Sequence, residues 1–590
     1  MKHIDFKSTI LSGMFLMISS TISAQNLPFF PTGITSNTQG ELFMSEKTNN
    51  RITVYSPDAQ SMLRSYTLTE TPTGITSFQD KLYVTTFGQQ GKLHILQVAD
   101  GKELAAVETG SGACAPLYDE ARQKIYVCNQ FENTVSEIDA VTHQLNKEVA
   151  VLREPRAMAL SKDGKYLFVN NFLPAQRADL EYVGACVSVI ETATFTKVKD
   201  IKLANGSNAL RGICLSGDGK YMYVSHNLGR YNVPTSQLQQ GWMNTSAFSI
   251  IDVDKQEFLG AVLVDEPERG AAGIWSIACA NQKIFISHSG THEVSIVQEP
   301  AMLEKFLAQP DKQKLEYDLT FLSGIRQRLP LEGNGPRAMC LTGQKLVVPT
   351  YFADVLNFVD VSSNALTSVN LNPNRTESDI HKGEKYFNDA SHCFQNWQSC
   401  NGCHPGEARN DGMNWDLLND GIGNPKNCKS LILSHPTKPS MITGIRETAE
   451  WAVRAGFKFI QFCDISEEDA CCVDAYLKSL HPVPSPYLVD GQLSEKAKVG
   501  KRLFDKWNCS TCHTGEYYTD LQMHVIGKDV EFEKGWDTPT LREVWRTGPY
   551  LFDGRAATLK EVFSVHRHGI EDRKVTDEEI DALTEYVKSL

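Results

Sequence analysis

The sequence has no block of like charge. Its 590 residues carry a formal net charge of −13 spread without acidic or basic runs, so nucleic acid is not an expected partner. Beyond the first 24 residues it also lacks any apolar run long enough to cross a bilayer, so no membrane span is expected. No cysteine stands at the end of that leader, which leaves a lipid anchor without support. At this length one core is not enough, and about three domains are expected.

The leader itself has Lys2 and Lys7, an apolar run from Ile10 to Ile18, and small residues ending at Ala24. That layout predicts a secretory signal over residues 1–24 and a periplasmic mature protein. Of 15 cysteines, four belong to two copies of one motif, Cys400-Asn401-Gly402-Cys403-His404 and Cys509-Ser510-Thr511-Cys512-His513. The others include several in strand-like apolar runs, where a cysteine is a small buried hydrophobe. Export permits disulfides, and Cys393 with Cys428 is a candidate bridge.

C-x-x-C-H is the attachment signature of haem c. Two thiols three residues apart reach the two vinyl groups of one porphyrin, and the next His turns its imidazole to the iron. Two C-x-x-C pairs sharing one zinc is the bland alternative, and the immediate His in both copies argues against it. Two covalent haems are therefore expected, with His404 and His513 as iron ligands.

Upstream, a short motif recurs: Pro31-Thr32-Gly33-Ile34, Pro72-Thr73-Gly74-Ile75, Ala113-Cys114-Ala115-Pro116, Pro155-Arg156-Ala157-Met158, Leu210-Arg211-Gly212-Ile213, Ile274-Trp275-Ser276-Ile277 and Pro336-Arg337-Ala338-Met339. Seven starts about 40 residues apart, each followed by β-branched strand-like runs and Asp-Gly turns, predict a seven-bladed all-β propeller over 29–370. "Tyr-Val-Ser-His" (Tyr223 to His226) and "Tyr-Val-Cys-Asn" (Tyr126 to Asn129) resemble the YVTN or YncE-like propellers. Insertions after Asn227 and over 300–333 read as loops or lids on a propeller face. His226, His288 and His292 follow strand ends, where a channel site and simple closing of the channel by polar residues are both open readings.

A linker is expected over 371–378. Beyond it the sequence is helical and duplicated: Gly383 and Phe387 precede the first C-x-x-C-H, Gly500 and Phe504 the second, and each copy ends in a helix, at Leu480 and Leu590. Pro482, Pro484 and Pro486 separate them. Two tandem all-α cytochrome c-type domains follow, 379–485 and 494–590.

These tandem domains resemble the bacterial di-haem cytochrome c peroxidase and MauG family. The resemblance rests on the paired motifs and on Thr538-Pro539-Thr540-Leu541-Arg542 continuing as Arg546-Thr547-Gly548-Pro549-Tyr550-Leu551-Phe552-Asp553-Gly554-Arg555. It implies an exported di-haem oxidoreductase in which the second haem relays electrons and the first reduces peroxide, or uses it to oxidise a substrate. It implies a sixth ligand for the second haem shortly after the Asp-Gly-Arg loop, where ungapped counting from Leu559 selects His566 and His568 is the near alternative, and haem-contacting roles for Cys400, Cys403, Cys509, Cys512, Arg446 and Arg555. The family's proton-transfer Gln and Glu fall here on Val453 and Cys463, so Glu447, Glu450 and Gln461 are the substitute candidates. Phe552 stands where the family has His. No His lies between His404 and His435, so the first iron is either open or approached by His435 or Met441. Trp415 and Trp451 are candidate electron relays. Calcium at the Thr538 to Thr540 loop, completed from Asn419-Asp420, is a weaker implication. The expected partners are a periplasmic electron donor, such as a small cytochrome or copper protein, and a small oxidant. The competing reading is a non-enzymatic di-haem electron carrier with the propeller as recognition module.

Overall fold

The computed structural model describes residues 26–88, 90–231, 243–417, 425–526 and 533–590; the leader of residues 1–24 lies outside them. Seven four-stranded antiparallel sheets follow one another at 31–67, 71–108, 113–150, 155–202, 207–263, 274–330 and 340–370, each with its strands in chain order. They form a seven-bladed β-propeller. Each repeated motif opens the innermost strand of its blade, except that at Leu210 it lies inside that strand and at Pro336 it immediately precedes it.

Burial follows position in the blade. The second strands, such as Leu42–Glu46 and Tyr166–Asn171, are buried almost throughout. The outermost strands, such as Leu145–Ala150, are mostly exposed and carry charges, which discourages edge-to-edge pairing. The polar residue ending a second strand ties it to the third. His226 Nε2 meets Ser249 Oγ at 2.7 Å and His288 Nε2 meets Ser295 Oγ at 2.9 Å, while Asn129 and Asn171 donate to Ser136 and Ser188 at 2.8 and 3.0 Å. That bond explains the final residue of the Tyr-Val motifs: a buried side chain must be polar enough to satisfy the facing serine. His226 and His288 are thus blade fasteners and not channel ligands.

The ring closes by packing. Phe29, Ile34 and Leu42 of the first blade share a core with Val347, Leu356 and Phe358 of the seventh. Phe29 N–H donates to Asp354 Oδ1, and Asn372 Nδ2 donates to the Leu27 carbonyl, so the expected linker is a structured tie. The insertion at 300–333 is not a lid. Its helix α1 (Glu299–Leu307) buries Met302 and Phe306 in the core between the fifth and sixth blades, with Phe306 against Gly260. The insertion after Asn227 falls largely at 232–242, outside the described residues.

Two helical units follow. In the first, α2 (Asp379–Asn388) crosses α4 (Glu467–Ser479), with α3 (Ala449–Phe459) between them in sequence. In the second, α5 (Glu495–Lys506) crosses α7 (Asp577–Lys588), with the shorter α6 (Leu559–Ser564) between. Both crossings need glycine: a Cβ on Gly383 would lie 1.9 Å from the Cys472 carbonyl oxygen, and one on Gly500 would lie 1.9 Å from that of Ala582. Neither unit is wholly helical. Each has a two-residue strand pair, Asn414–Trp415 with Lys426–Asn427 and Met523–His524 with Trp536–Asp537. Among the described residues no helix is long and apolar enough to cross a membrane.

The units sit on the propeller mouth where the inner strands begin. Arg546 pairs with Glu154 of the fourth blade at 2.9 Å and with Glu543 at 3.4 Å, and Arg409 pairs with Glu543 at 2.8 Å, all buried. One charge network therefore joins the propeller and both units.

Candidate functional site

Each C-x-x-C-H motif is a single tight turn. His404 N–H bonds to the Cys400 carbonyl and His513 N–H to that of Cys509, both at 3.0 Å, which brings the two thiols and the imidazole of each motif to one side. Each imidazole is oriented in the same way. His404 Nδ1 lies 3.0 Å from the Arg409 carbonyl oxygen and His513 Nδ1 3.1 Å from that of Tyr518. A carbonyl only accepts, so Nδ1 carries the proton and Nε2 keeps its lone pair for a metal. Burial lowers the pKa of both rings, His513 to about 4, which holds them in that neutral form.

Around the first motif lies an apolar cavity of about 550 Å³, lined by Cys400, Cys403, His404, Trp415, Met441 and Gln461, among others. Its size suits a cofactor. Two thiols, a ring nitrogen and a mostly apolar wall are the donor set and surroundings that haem c requires, so the residues present fit that group. The face of α3 carrying Ala449, Ala452, Val453 and Gly456 forms part of the wall. Turned the other way by the 3.6-residue period, Glu450 pairs with Lys478 at 2.9 Å and Trp451 is 65% exposed. Glu447 precedes the helix on the surface. The structure therefore places Glu447, Glu450 and Trp451 outside the cavity.

Gln461 faces it. Its Nε2 donates to Cys400 Sγ at 3.3 Å, and its Oε1 is buried without a partner among the described residues. Arg446 also lines the cavity. So do Lys429 and Asp537, paired at 2.8 Å, and burial raises the Asp537 pKa despite that lysine. This ionisable pair escaped sequence reading because Asp537 comes from the other unit. Two propeller residues were equally illegible: Met243 on the cavity wall and Asn244, whose Nδ2 lies 3.3 Å from Cys403 Sγ. His435 is turned away and bound to Asp474 at 3.1 Å, which leaves Met441 as the candidate of that pair at the cavity. Cys428 lies 3.5 Å from His404 Nδ1, and Cys393 neighbours Cys463, so the Cys393–Cys428 bridge is not formed.

In the second unit His568 stands across from His513, ring centroids 6.4 Å apart. Two imidazoles on one iron hold their centroids about 6 Å apart, a bond and half a ring on each side. His566 is occupied elsewhere, its Nε2 3.1 Å from the Arg555 carbonyl oxygen. Arg555 pairs with Asp553 at 3.2 Å and lies over Phe552. Phe552, in place of the expected His, stacks on Trp536 at 4.1 Å. Lys429 bonded to Asp537 already puts a positive charge beside the Thr538 to Thr540 loop, while Asn419-Asp420 lie outside the described residues. The two units match locally: Met441 and Leu551 share φ of 71°, and Gly444 and Gly554 share 62°.

Residues 497–590 match the cytochrome c family. A cytochrome c domain thus ends the chain and implies covalently bound haem c. The chain is similar to the gamma subunit of hydrazine synthase from Kuenenia stuttgartiensis, 26% identical over 275 residues covering 36% of this chain and 77% of that protein. It is similar to the methylamine utilization protein MauG of Methylophilus methylotrophus, 33% identical over 92 residues, 13% of this chain and 28% of that protein. Among solved structures, hydrazine synthase of Kuenenia stuttgartiensis aligns with a TM-score of 0.51 at 20% identity, over 60% of this chain and 98% of that one, a likeness of fold alone.

Proposed function

We propose that the chain is an exported di-haem c-type oxidoreductase of the cytochrome c peroxidase and MauG type. Cys400, Cys403 and His404 hold the catalytic haem, and Cys509, Cys512, His513 and His568 hold the relaying one. A bound haem c supplies one-electron chemistry at iron and, where one axial position is open, a place for peroxide or another small oxidant to be reduced. The asymmetry of the two units carries this reading. The second sets an imidazole opposite its motif histidine. The first sets a 550 Å³ cavity opposite its own, with His404 the only imidazole on its described wall.

Within the cavity the apolar face of α3 excludes water, and Gln461 holds a carboxamide ready to orient a small ligand. Asp537, raised by burial, is the group able to hold a proton there, and Lys429 keeps the cost of its charged form low. The propeller contributes Asn244 and Met243 to the wall and docks the donor or substrate. Support for calcium is slight, since the Lys429 ammonium beside that loop opposes a dication.

A di-haem electron carrier is the second reading, favoured by Met441, whose thioether on the cavity wall is a haem ligand type. EPR of the ferric protein separates the two. One high-spin and one low-spin haem, with the high-spin signal altered by peroxide, is expected; two low-spin haems indifferent to peroxide would leave the carrier. His568→Ala is expected to turn the low-spin haem high-spin, with His566→Ala leaving it unchanged. The converse result would assign the ligand to His566.

A further inference from the structure

The mouth of the propeller under the helical units holds an unusual ring. Four successive blades place Arg156, Arg211, Trp275 and Arg337 at the second position of the repeated motif. The guanidiniums alternate with aromatic rings. Arg156 lies 3.7 Å from the Phe172 centroid, Arg211 lies 5.3 Å from the same ring and 3.7 Å from Trp275, and Arg337 lies 4.3 Å from Trp275 and 3.9 Å from Tyr351.

Ring faces partly offset positive charge but accept few of the N–H groups. Arg156 is paired with Glu154 at 2.9 Å, although its Nε is buried without a partner among the described residues. Among the described residues Arg211 and Arg337 have no carboxylate partner. Their polar contacts are Asn401 Oδ1 at 3.4 Å and Ser289 Oγ at 3.3 Å. Burial, together with Arg156 and Arg337, pushes the pKa of Arg211 well below the ordinary guanidinium range.

The space is hollow. Glu407, in the turn directly after His404, is 60% accessible to water although protein surrounds it, and burial is outweighed by Lys47, Arg409, Arg546 and Arg156 in holding its pKa down to about 2. The inner strands likewise leave their second and third residues half-buried, as in Pro155–Leu160 and Ile274–Ala280. None of the three arginines lines the cavity around the first motif.

We propose that Arg211 and Arg337, with Arg156, form a binding site for a small oxyanion in the propeller mouth. Two guanidiniums within 4.3 Å of one indole ring present planar donor forks to a ligand three to five atoms across. The site does not depend on how either haem is ligated.

Calorimetry on the haem-loaded full chain at low ionic strength tests it, with inorganic phosphate, nitrite and acetate as probes for tetrahedral, planar and carboxylate ligands. One saturable site per chain for at least one probe is expected, weakened at least tenfold in Arg211→Gln and in Arg337→Gln and less in Arg337→Lys. Haem absorption and melting temperature show whether each variant is folded. Where a variant is not, phenylglyoxal labelling of the native chain replaces it, the bound probe shielding the Arg211 and Arg337 peptides. No saturable binding by any probe, equal affinity in the folded Gln variants, or labelling that no probe slows would overturn the proposal.

Discussion

His226 is buried, hydrogen-bonded at both ring nitrogens, and has its pKa lowered to about 4 by burial. Burial likewise lowers that of His288 to about 3. Between those values and the ordinary histidine value near 6.5, the unfolded chain binds protons that the folded blade refuses. Stability from these positions is thus intact above about pH 6.5 and falls as pH drops through the window. By pH 4.5 the loss at His226 is about 2 kcal/mol. The third and fourth blades meet the same serine with Asn129 and Asn171, which do not titrate. His226→Asn is expected to keep the Ser249 bond and leave stability at pH 7 within about 1 kcal/mol, while removing about 2 kcal/mol of acid sensitivity. Urea unfolding at pH 7 and pH 4.5, followed by far-ultraviolet dichroism, checks this; equal acid sensitivity in the variant would contradict it.

The helix pairs show what an element can and cannot reveal in advance. Glycine 17 residues before the first haem motif and nine before the second is visible in the sequence, and its reason is the 1.9 Å approach of a neighbouring carbonyl in both units. A backbone atom cannot yield as a flexible side chain does, so Gly500→Ala must push α5 off α7. A loss of at least about 2 kcal/mol is expected, together with less haem in the second motif, measured by thermal melting and by haem absorption per chain. The blade starts were legible because the inner strand of each blade repeats a small-residue motif, and the two haem turns because covalent attachment dictates their spacing. The insertion at 300–333 was not, since Met302 and Phe306 become core only against Gly260 of another blade. Which of Glu447, Glu450 and Gln461 meets the cavity was not legible either, since only packing decides which side of α3 faces it.

The three parts of the molecule share walls and charges. Cys403 is touched by a propeller asparagine, the cavity of the first unit includes Asp537 of the second, and Glu154 of the fourth blade holds Arg546 of the second unit. The seven-bladed propeller was legible in its repeated motif, but these contacts were not, since their partners lie from about a hundred to nearly four hundred residues apart. The Glu154–Arg546 pair is fully buried and linked through Glu543 to Arg409, whose carbonyl orients His404. Removing one partner of such a pair leaves a buried charge uncompensated, a cost of about 3–5 kcal/mol. Removing both leaves less to compensate. Glu154→Gln and Arg546→Met are therefore each expected to lower the melting temperature sharply, and the double variant to melt above the sum of the two effects. Because the network reaches the His404 carbonyl acceptor, the single variants are also expected to shift the reduction potential of the first haem and leave that of the second nearly unchanged. Spectroelectrochemical titration reads both. Additive melting effects with neither potential moved would mean that the propeller is merely tethered to the helical units, and that its charges do not reach the haem site.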